Sequence, residues 1–521
     1  MTLKNVSALG LLLLLSVLSA CASASLPAPV KDTPGFSMLN ITSYVVEAVY
    51  EQSTLYTLPE STDVYAGSPV RLLHLRGTRQ EMGYAYARLI ASDVYEIYHQ
   101  LISQLSMTAR LAVERFVDYQ WTNFLSVQLP EEYVQELQGI DAGVASLNNR
   151  TLKEVGKIVR RVLLLANLPS DLPEDLVPIL QDELDRNPDN AFLRRMLAYL
   201  QQEDEQKGTL ARDPLGLHCS MFAVWGTRTE GDHVYSCRNL DYAPDTGINT
   251  HKLITVWSPS DGAYAHAAFG YTALYGALAG MSSQGVSVHE ANLEEDLETF
   301  SGFPWVLRLR YIMEKARTID EAQTLWAQTN NTVGYNHMVA CEADAAPNGH
   351  AAVAMETARN YTAYFLDNDP REANAVHVNS DNQAVHYGDP LPEALYRTNH
   401  GYDSFLAEHY QWWTYHAYKW SQERYMMMYY AFMNYTAAER VISTVEALNI
   451  TSIVGDKSSD ASDPVPAAYA CADTNTGTNI LSVMYDLYNQ HAHVAWGKGT
   501  GEEWRPAACN TYIMVDLKQF W

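Results

Sequence analysis

The chain has 521 residues, 47% of them hydrophobic, and carries 35 Lys and Arg against 61 Asp and Glu, a formal net charge of −26. A balance of that sign repels phosphate backbones and anionic membrane surfaces, which argues against nucleic acid as a partner. The length exceeds one ordinary hydrophobic core and predicts two lobes.

In chain order, Lys4, the apolar run 11–18 and the small residues 19–24 read as a secretory signal peptide over 1–22. The same stretch, ending Leu18-Ser19-Ala20-Cys21, also fits a bacterial lipoprotein processing site that would anchor the mature chain through Cys21. No later stretch reaches about 18 apolar residues without charge, so no transmembrane segment is expected. Asn-x-Ser/Thr sequons at Asn40, Asn149, Asn330, Asn360, Asn434 and Asn449 suit a glycosylated secretory protein. Residues 25–70 read as an extended arm. Helical spacing then runs over 78–147, with Pro130-Glu131-Glu132 marking a helix start, and returns over 151–164 and 191–202. Residues 23–218 therefore form a mainly helical N-terminal segment, closed by a polar linker over 201–208.

Beyond residue 218 the period changes. Strands are predicted over 252–257, 263–269, 271–278 and 286–292, then helices over 305–316 and 319–328. Strand signals return over 337–342, 351–356 and 361–365, helices over 422–435 and 437–448, and last strands over 481–485, 493–496 and 512–515. This order suits an α+β fold over 219–521.

The chemistry concentrates in Leu217-His218-Cys219-Ser220-Met221-Phe222 and Cys237-Arg238-Asn239-Leu240-Asp241. A reactive thiol needs a cationic neighbour, and a carboxylate orients the cation or a base. The apolar run 221–225, a turn at Thr229-Glu230-Gly231-Asp232 and the return run 234–236 predict a hairpin that carries Arg238 and Asp241 back beside Cys219. Taken alone, Cys219 reads more readily as a small buried apolar residue than as a nucleophile.

These motifs resemble the N-terminal nucleophile hydrolases of the acyl-coenzyme A:6-aminopenicillanic-acid acyltransferase type, relatives of acid ceramidase and bile salt hydrolase. Further landmarks occur in that family's order: Gly280-Met281-Ser282-Ser283-Gln284-Gly285-Val286 leading to Ala291-Asn292-Leu293, then Thr398-Asn399-His400, then Ser421-Gln422-Glu423-Arg424-Tyr425 read as a helix start. Upstream, Leu75-Arg76-Gly77 through Met82-Gly83-Tyr84 resembles the segment near the start of the family's precursor. The chain departs from the pattern at Cys237, a second thiol where relatives carry a small residue, which leaves redox sensitivity open.

The resemblance implies an α-β-β-α sandwich of two antiparallel sheets and self-cleavage between His218 and Cys219, which makes 219–521 the catalytic domain. It implies Cys219 as nucleophile with its own new amine as base, Arg238 stabilising the thiolate, and Asp241 holding the amine. Asn292 and Asn399 would supply oxyanion donors and Arg424 would anchor the far wall or the carboxylate network. No role is assigned to His400. No cofactor is implied. His491 and His493 could form a metal pair on one strand face, or be solvated or hydrogen-bonded. Once Cys21 and Cys219 are set aside, Cys237, Cys341, Cys471 and Cys509 allow three pairings; Cys471 with Cys509 is the expected disulfide, and four free thiols is the alternative.

Three functions stay open. The first is an amidase or acyltransferase acting on a linear, non-peptide amide of an N-acylated small molecule, secreted or lysosomal, whose two fragments stay associated after the cut. The second is a lysosomal lipid hydrolase of the acid ceramidase or phospholipase B-like kind. The third is a secreted binding protein that keeps the fold without the chemistry.

Overall fold

The strand-forming runs of the sequence assemble into two stacked sheets with helices on both outer faces. The computed structural model describes residues 36–65, 68–103, 107–165, 180–181, 183–186, 188–198, 218–242, 244–293, 295, 297, 299, 301–378, 384–410, 415–456 and 477–521. The signal segment with Cys21, the linker 201–208 and Cys471 lie outside the described residues.

In chain order the strands are β1 Met38–Asn40, β2 Val45–Tyr50, β3 Ser53–Leu58, β4 Val70–Gly77, β5 His218–Gly226, β6 Asp232–Asp241, β7 Lys252–Pro259, β8 His266–Tyr271, β9 Gly280–Ser282, β10 Val286–Asn292, β11 Tyr335–Cys341, β12 Ala352–Ala358, β13 Tyr361–Phe365, β14 Val376–Val378, β15 Ala384–His386, β16 Ala394–Arg397, β17 Asn479–Asp486, β18 His491–Trp496 and β19 Tyr512–Asp516. The longer helices are α1 Arg79–Ile102, α2 Met107–Gln120, α3 Glu131–Ser146, α4 Val155–Leu165, α5 Trp305–Lys315, α6 Ile319–Ala327, α7 Tyr415–Ala437 and α8 Thr444–Asp456.

One sheet has seven strands in the order β1-β19-β18-β17-β6-β5-β16, and the other has ten, β13-β12-β11-β10-β9-β8-β7-β4-β3-β2. They stack through β10 and β11 against β5 and β6, and through β12 against β16. Helices α7 and α8 cover the outer face of the seven-stranded sheet, while α1, α5 and α6 cover that of the ten-stranded sheet. This is the α-β-β-α sandwich. A strand covered on both faces has no polar side, and residues 221–225 of β5 are accordingly all fully buried.

The sheets are not wholly antiparallel. β1 pairs parallel with β19 and β4 parallel with β7, each joining a strand that precedes Cys219 to one that follows it. The stretch over 25–70 read as an extended arm is woven into both sheets, through β1 into one and through β2 and β3 into the other, with Ile41, Leu55, Leu58 and Val70 buried. The strand expected over 271–278 does not form. β8 ends at Tyr271, and Ala273 takes φ 77°, a left-handed conformation that no strand accommodates. The helix expected over 437–448 likewise starts late, since Glu439 at φ 51° separates α7 from α8. Ser421 lies inside α7, not at its start.

The helical N-terminal segment is fastened to the rest by buried charge. Thr78 and Glu81 form a reciprocal cap that starts α1 at Arg79. Gly83 lets α3 approach so closely that a Cβ there would lie 1.9 Å from the Glu136 carbonyl oxygen. Glu136 then accepts from Arg79 at 2.9 Å, from Arg310 of α5 at 2.7 and 2.8 Å and from the Tyr275 hydroxyl at 2.8 Å. Glu314 pairs with both guanidinium groups at 2.9 and 3.0 Å, and the Arg310 guanidinium lies 4.2 Å from the centroid of the Trp257 ring. Burial and the neighbouring Arg310 hold His266 well below its usual range, so its neutral ring donates from Nδ1 to the Tyr264 carbonyl and accepts from Arg310. Glu136→Ala removes one of the two buried carboxylates that neutralise Arg79 and Arg310 and is expected to cost about 3–5 kcal/mol, read as a lower urea midpoint. Gln138→Ala, exposed on the same helix, should move that midpoint by less than about 0.5 kcal/mol.

Candidate active site

β5 and β6 form the expected hairpin, turning through Gly231 at φ 70°. The register pairs His218 with Asp241, Cys219 with Leu240 and Met221 with Arg238. Side chains alternate across a strand, so Cys219 and Arg238 share the face that meets the ten-stranded sheet. There Arg238 Nη2 reaches Cys219 Sγ at 3.5 Å. The same guanidinium is bound by Glu290 of β10, whose carbonyl oxygen accepts from Nε at 3.2 Å and whose carboxylate pairs with Nη2. All three residues are buried.

On its other edge β5 pairs with β16, with Arg397 opposite Met221. Two residues further on, that register sets Asn399 beside Cys219. The Cys219 backbone N–H donates to Asn399 Oδ1 at 2.7 Å, and Arg424 of α7 donates to the same oxygen at 2.9 Å. Arg424 also donates to the Cys219 carbonyl. Asn399 Nδ2 donates to the backbone carbonyl of Asn292 at 2.8 Å. Cys219 is thus held by amide, carbonyl and sulfur while still joined to His218. Asp241 accepts from Asn479 Nδ2 at 2.8 Å, which fixes the carboxylate opposite His218.

Electrostatics modify two of the expected roles. Burial, then Glu290, pushes the Cys219 thiol up to about 12, against the pull of Arg238 and Arg424. Arg238 reaches the sulfur, but it shares its charge with Glu290 and leaves the thiol protonated. The Asn399 amide donor expected to bind an oxyanion is engaged by the Asn292 carbonyl. Glu290 escaped the sequence reading although it sits two residues before Asn292 on the same strand, where a carboxylate among buried neighbours is itself a signal. Asn479 lies more than 200 residues from its partner, and no local spacing reveals it.

His400 acquires a structural part. Its Nδ1 hydrogen-bonds with Ser421 Oγ at 2.7 Å and its Nε2 with the Tyr402 hydroxyl at 2.9 Å, tying the Asn399 segment to α7. Cys237 faces the opposite side of β6, beside Thr451 of α8, where burial pushes its thiol up to about 12. It is turned away from Cys219, and no redox pairing between the two is available in this arrangement.

Cys219, Cys237 and Cys341 are free thiols. Cys509 is disulfide-bonded, while its expected partner Cys471 lies outside the described residues. Of the sequon residues, Asn40, Asn149, Asn330 and Asn360 are exposed and Asn434 is half-buried, but Asn449 is only 6% exposed within α8 and has no room for a glycan. His491 and His493 share a face of β18, yet among the described residues no three His, Cys, Asp or Glu side chains converge as a ligand set for a metal. No helix among the described residues is long and apolar enough to cross a membrane.

Residues 227–500 match the family model described as acyl-coenzyme A:6-aminopenicillanic acid acyl-transferase. The match begins eight residues after Cys219 and contains Arg238, Asp241, Asn292, Asn399 and Arg424. No curated protein sequence matches the chain. Similar solved structures include the N-acylethanolamine-hydrolyzing acid amidase ortholog of Caenorhabditis elegans, at 12% identity, 52% of this chain, 93% of that chain and a TM-score of 0.33. They also include a mutant of the conjugated bile acid hydrolase from Clostridium perfringens, at 12% identity, 58% of this chain, 93% of that chain and a TM-score of 0.34. Penicillin V acylase from Agrobacterium tumefaciens is similar at 12% identity, 58% of this chain, 87% of that chain and a TM-score of 0.35. With the model matched over more than half of its length, the chain belongs to the acyl-coenzyme A:6-aminopenicillanic acid acyl-transferase family.

Proposed function

We propose that this protein is a self-processing cysteine hydrolase or acyltransferase that acts on a linear amide of an N-acylated small molecule, activated by a cut between His218 and Cys219. The observation that carries this reading is the grip on Cys219, whose amide meets Asn399, whose carbonyl meets Arg424 and whose sulfur meets Arg238. In the cut, the sulfur attacks the His218 carbonyl carbon, the C–N bond breaks as the Cys219 nitrogen takes up a proton, and water hydrolyses the resulting thioester. A carboxylate remains on His218 and a free amine on Cys219.

That amine has a reference pKa of about 8, so it accepts the thiol proton near neutral pH where the amide nitrogen could not. The thiolate then attacks the substrate carbonyl, the amine part leaves with a proton, and the acyl group passes from sulfur to water or to another amine. Asp241 holds the new amine. Asn292 and Asn399 serve the oxyanion, each contributing about 3 kcal/mol, once Asn399 Nδ2 has left the Asn292 carbonyl. The two fragments stay associated, supported by the two parallel strand pairs and the Glu136 cluster. A secretory route, to the outside or to the lysosome, fits the signal segment and the exposed sequons.

Incubated wild type is expected to yield a fragment that begins Cys219-Ser220, found by N-terminal sequencing. Cys219→Ala should remain whole and inert; an alanine variant that cuts itself or turns over an N-acyl amide removes the thiol from the mechanism. Glu290→Gln deletes a charge that raises the thiol, so the pH midpoint for alkylation of the uncut chain by iodoacetamide should fall below that of wild type. An unchanged or higher midpoint would show that Glu290 does not act on the sulfur. Endoglycosidase treatment of protein expressed in a secretory host should remove mass mapping to the exposed sequons and none from Asn449.

A further inference from the structure

The segment Thr398–Asp403, which carries Asn399, has no regular secondary structure. Two side chains on the opposite sheet hold it. Asn336 of β11 and Glu356 of β12 are a direct cross-strand pair, and both are fully buried. Asn336 Nδ2 donates to the carbonyls of Thr398 at 2.8 Å and His400 at 2.9 Å, the two residues that flank Asn399. The Glu356 carboxylate accepts the backbone N–H of Tyr402 at 2.9 Å and of Asp403 at 2.8 Å, and the Tyr410 hydroxyl at 2.8 Å.

Its arrangement is poor as mere cement. The cation facing Glu356 is Arg397, whose Nε is 3.9 Å away and whose Nη2 lies 2.9 Å from Glu372. A buried carboxylate so weakly paired is costly, and it persists here with its hydrogen bonds spent on one short piece of backbone. The chain crosses this carboxylate at Gly401, where a Cβ would sit 1.8 Å from the Tyr410 hydroxyl oxygen and 2.8 Å from a Glu356 oxygen. Neither Asn336 nor Glu356 has a hydrogen bond to Cys219, Arg238 or Arg424.

We propose that Asn336 and Glu356 form a cross-strand clamp that positions Asn399 beside Cys219 as an oxyanion donor for catalysis. The clamp fixes the backbone on both sides of Asn399, so the Asn399 side chain keeps its 2.7 Å approach to Cys219. Both are positioning residues that touch no substrate. The proposal rests on the reading of Cys219 as nucleophile and adds the element that aims its partner.

The test uses the processed full chain and an N-acyl amide that wild type turns over. Asn336→Ala and Glu356→Gln are expected to lower kcat by about 10- to 100-fold, the scale of a 1 Å misplacement, with KM within about 2-fold. Alkylation of Cys219 by iodoacetamide should keep its wild-type rate within about 2-fold. In an Asn399→Ala background, Asn336→Ala should lower kcat no further, because its effect runs through Asn399. Additive losses in that cycle, an unchanged kcat in the single variants, or parallel loss of kcat and alkylation would each overturn the clamp. If both variants are insoluble, Tyr410→Phe decides: a lower kcat at unchanged KM supports the clamp and an unchanged kcat overturns it. Activity surviving in Cys219→Ala would instead sink the nucleophile reading, a separate result from any of these.

Discussion

The pairing of β16 with β5 puts Asn399 alongside Cys219, and the rest of the site is arranged around that contact. The Asn399 carboxamide oxygen takes both the Cys219 amide and Arg424, so one side chain joins Cys219, a buried guanidinium and the end of β10. A one-residue slip of β16 would turn its side chains to the opposite face and remove Asn399 from the site. Arg397 opposite Met221, with Ala394 to Tyr396 buried behind it, makes such a slip expensive.

Around that contact the charges are balanced. Arg238 lies against the sulfur, yet Glu290 neutralises it at the same atom, Nη2. A positive charge that would otherwise sharpen the thiol is thereby diverted to the carboxylate. The arrangement also explains why Glu290 is buried at all: in a low-dielectric interior an unshared guanidinium would be the costlier group.

Much of this was legible from local pattern. The hairpin from Cys219 to Asp241 follows from an apolar run, a Gly-Asp turn and a returning run, and the order Cys219, Arg238, Asp241, Asn292, Asn399, Arg424 carries the family. What escaped was nonlocal. The parallel pairing of β4 with β7 joins residues about 180 apart, and no periodicity in either strand announces it. Asn479 on Asp241 and Glu356 under Tyr402 are likewise nonlocal, 238 and 46 residues from the groups they serve. The break at Ala273 is a different case, since an alanine at positive φ is imposed by packing and contradicts its own preference. His400 was passed over because its partners, Ser421 and Tyr402, become neighbours only when α7 packs on the seven-stranded sheet.

The two parallel strand pairs would change meaning if the chain were cut between His218 and Cys219 as proposed. β1 and β4 would then belong to the first piece and β19 and β7 to the second, and each pair would close its sheet without a covalent link between them. Before the cut, their pairing is a loop closure within one molecule, whose entropic cost grows only slowly with length. Afterwards the same pairing is an encounter between two molecules, and its rate depends on their concentration. Maturation would thus convert a protein that can regain its structure alone into one that, once unfolded and diluted, has no route back.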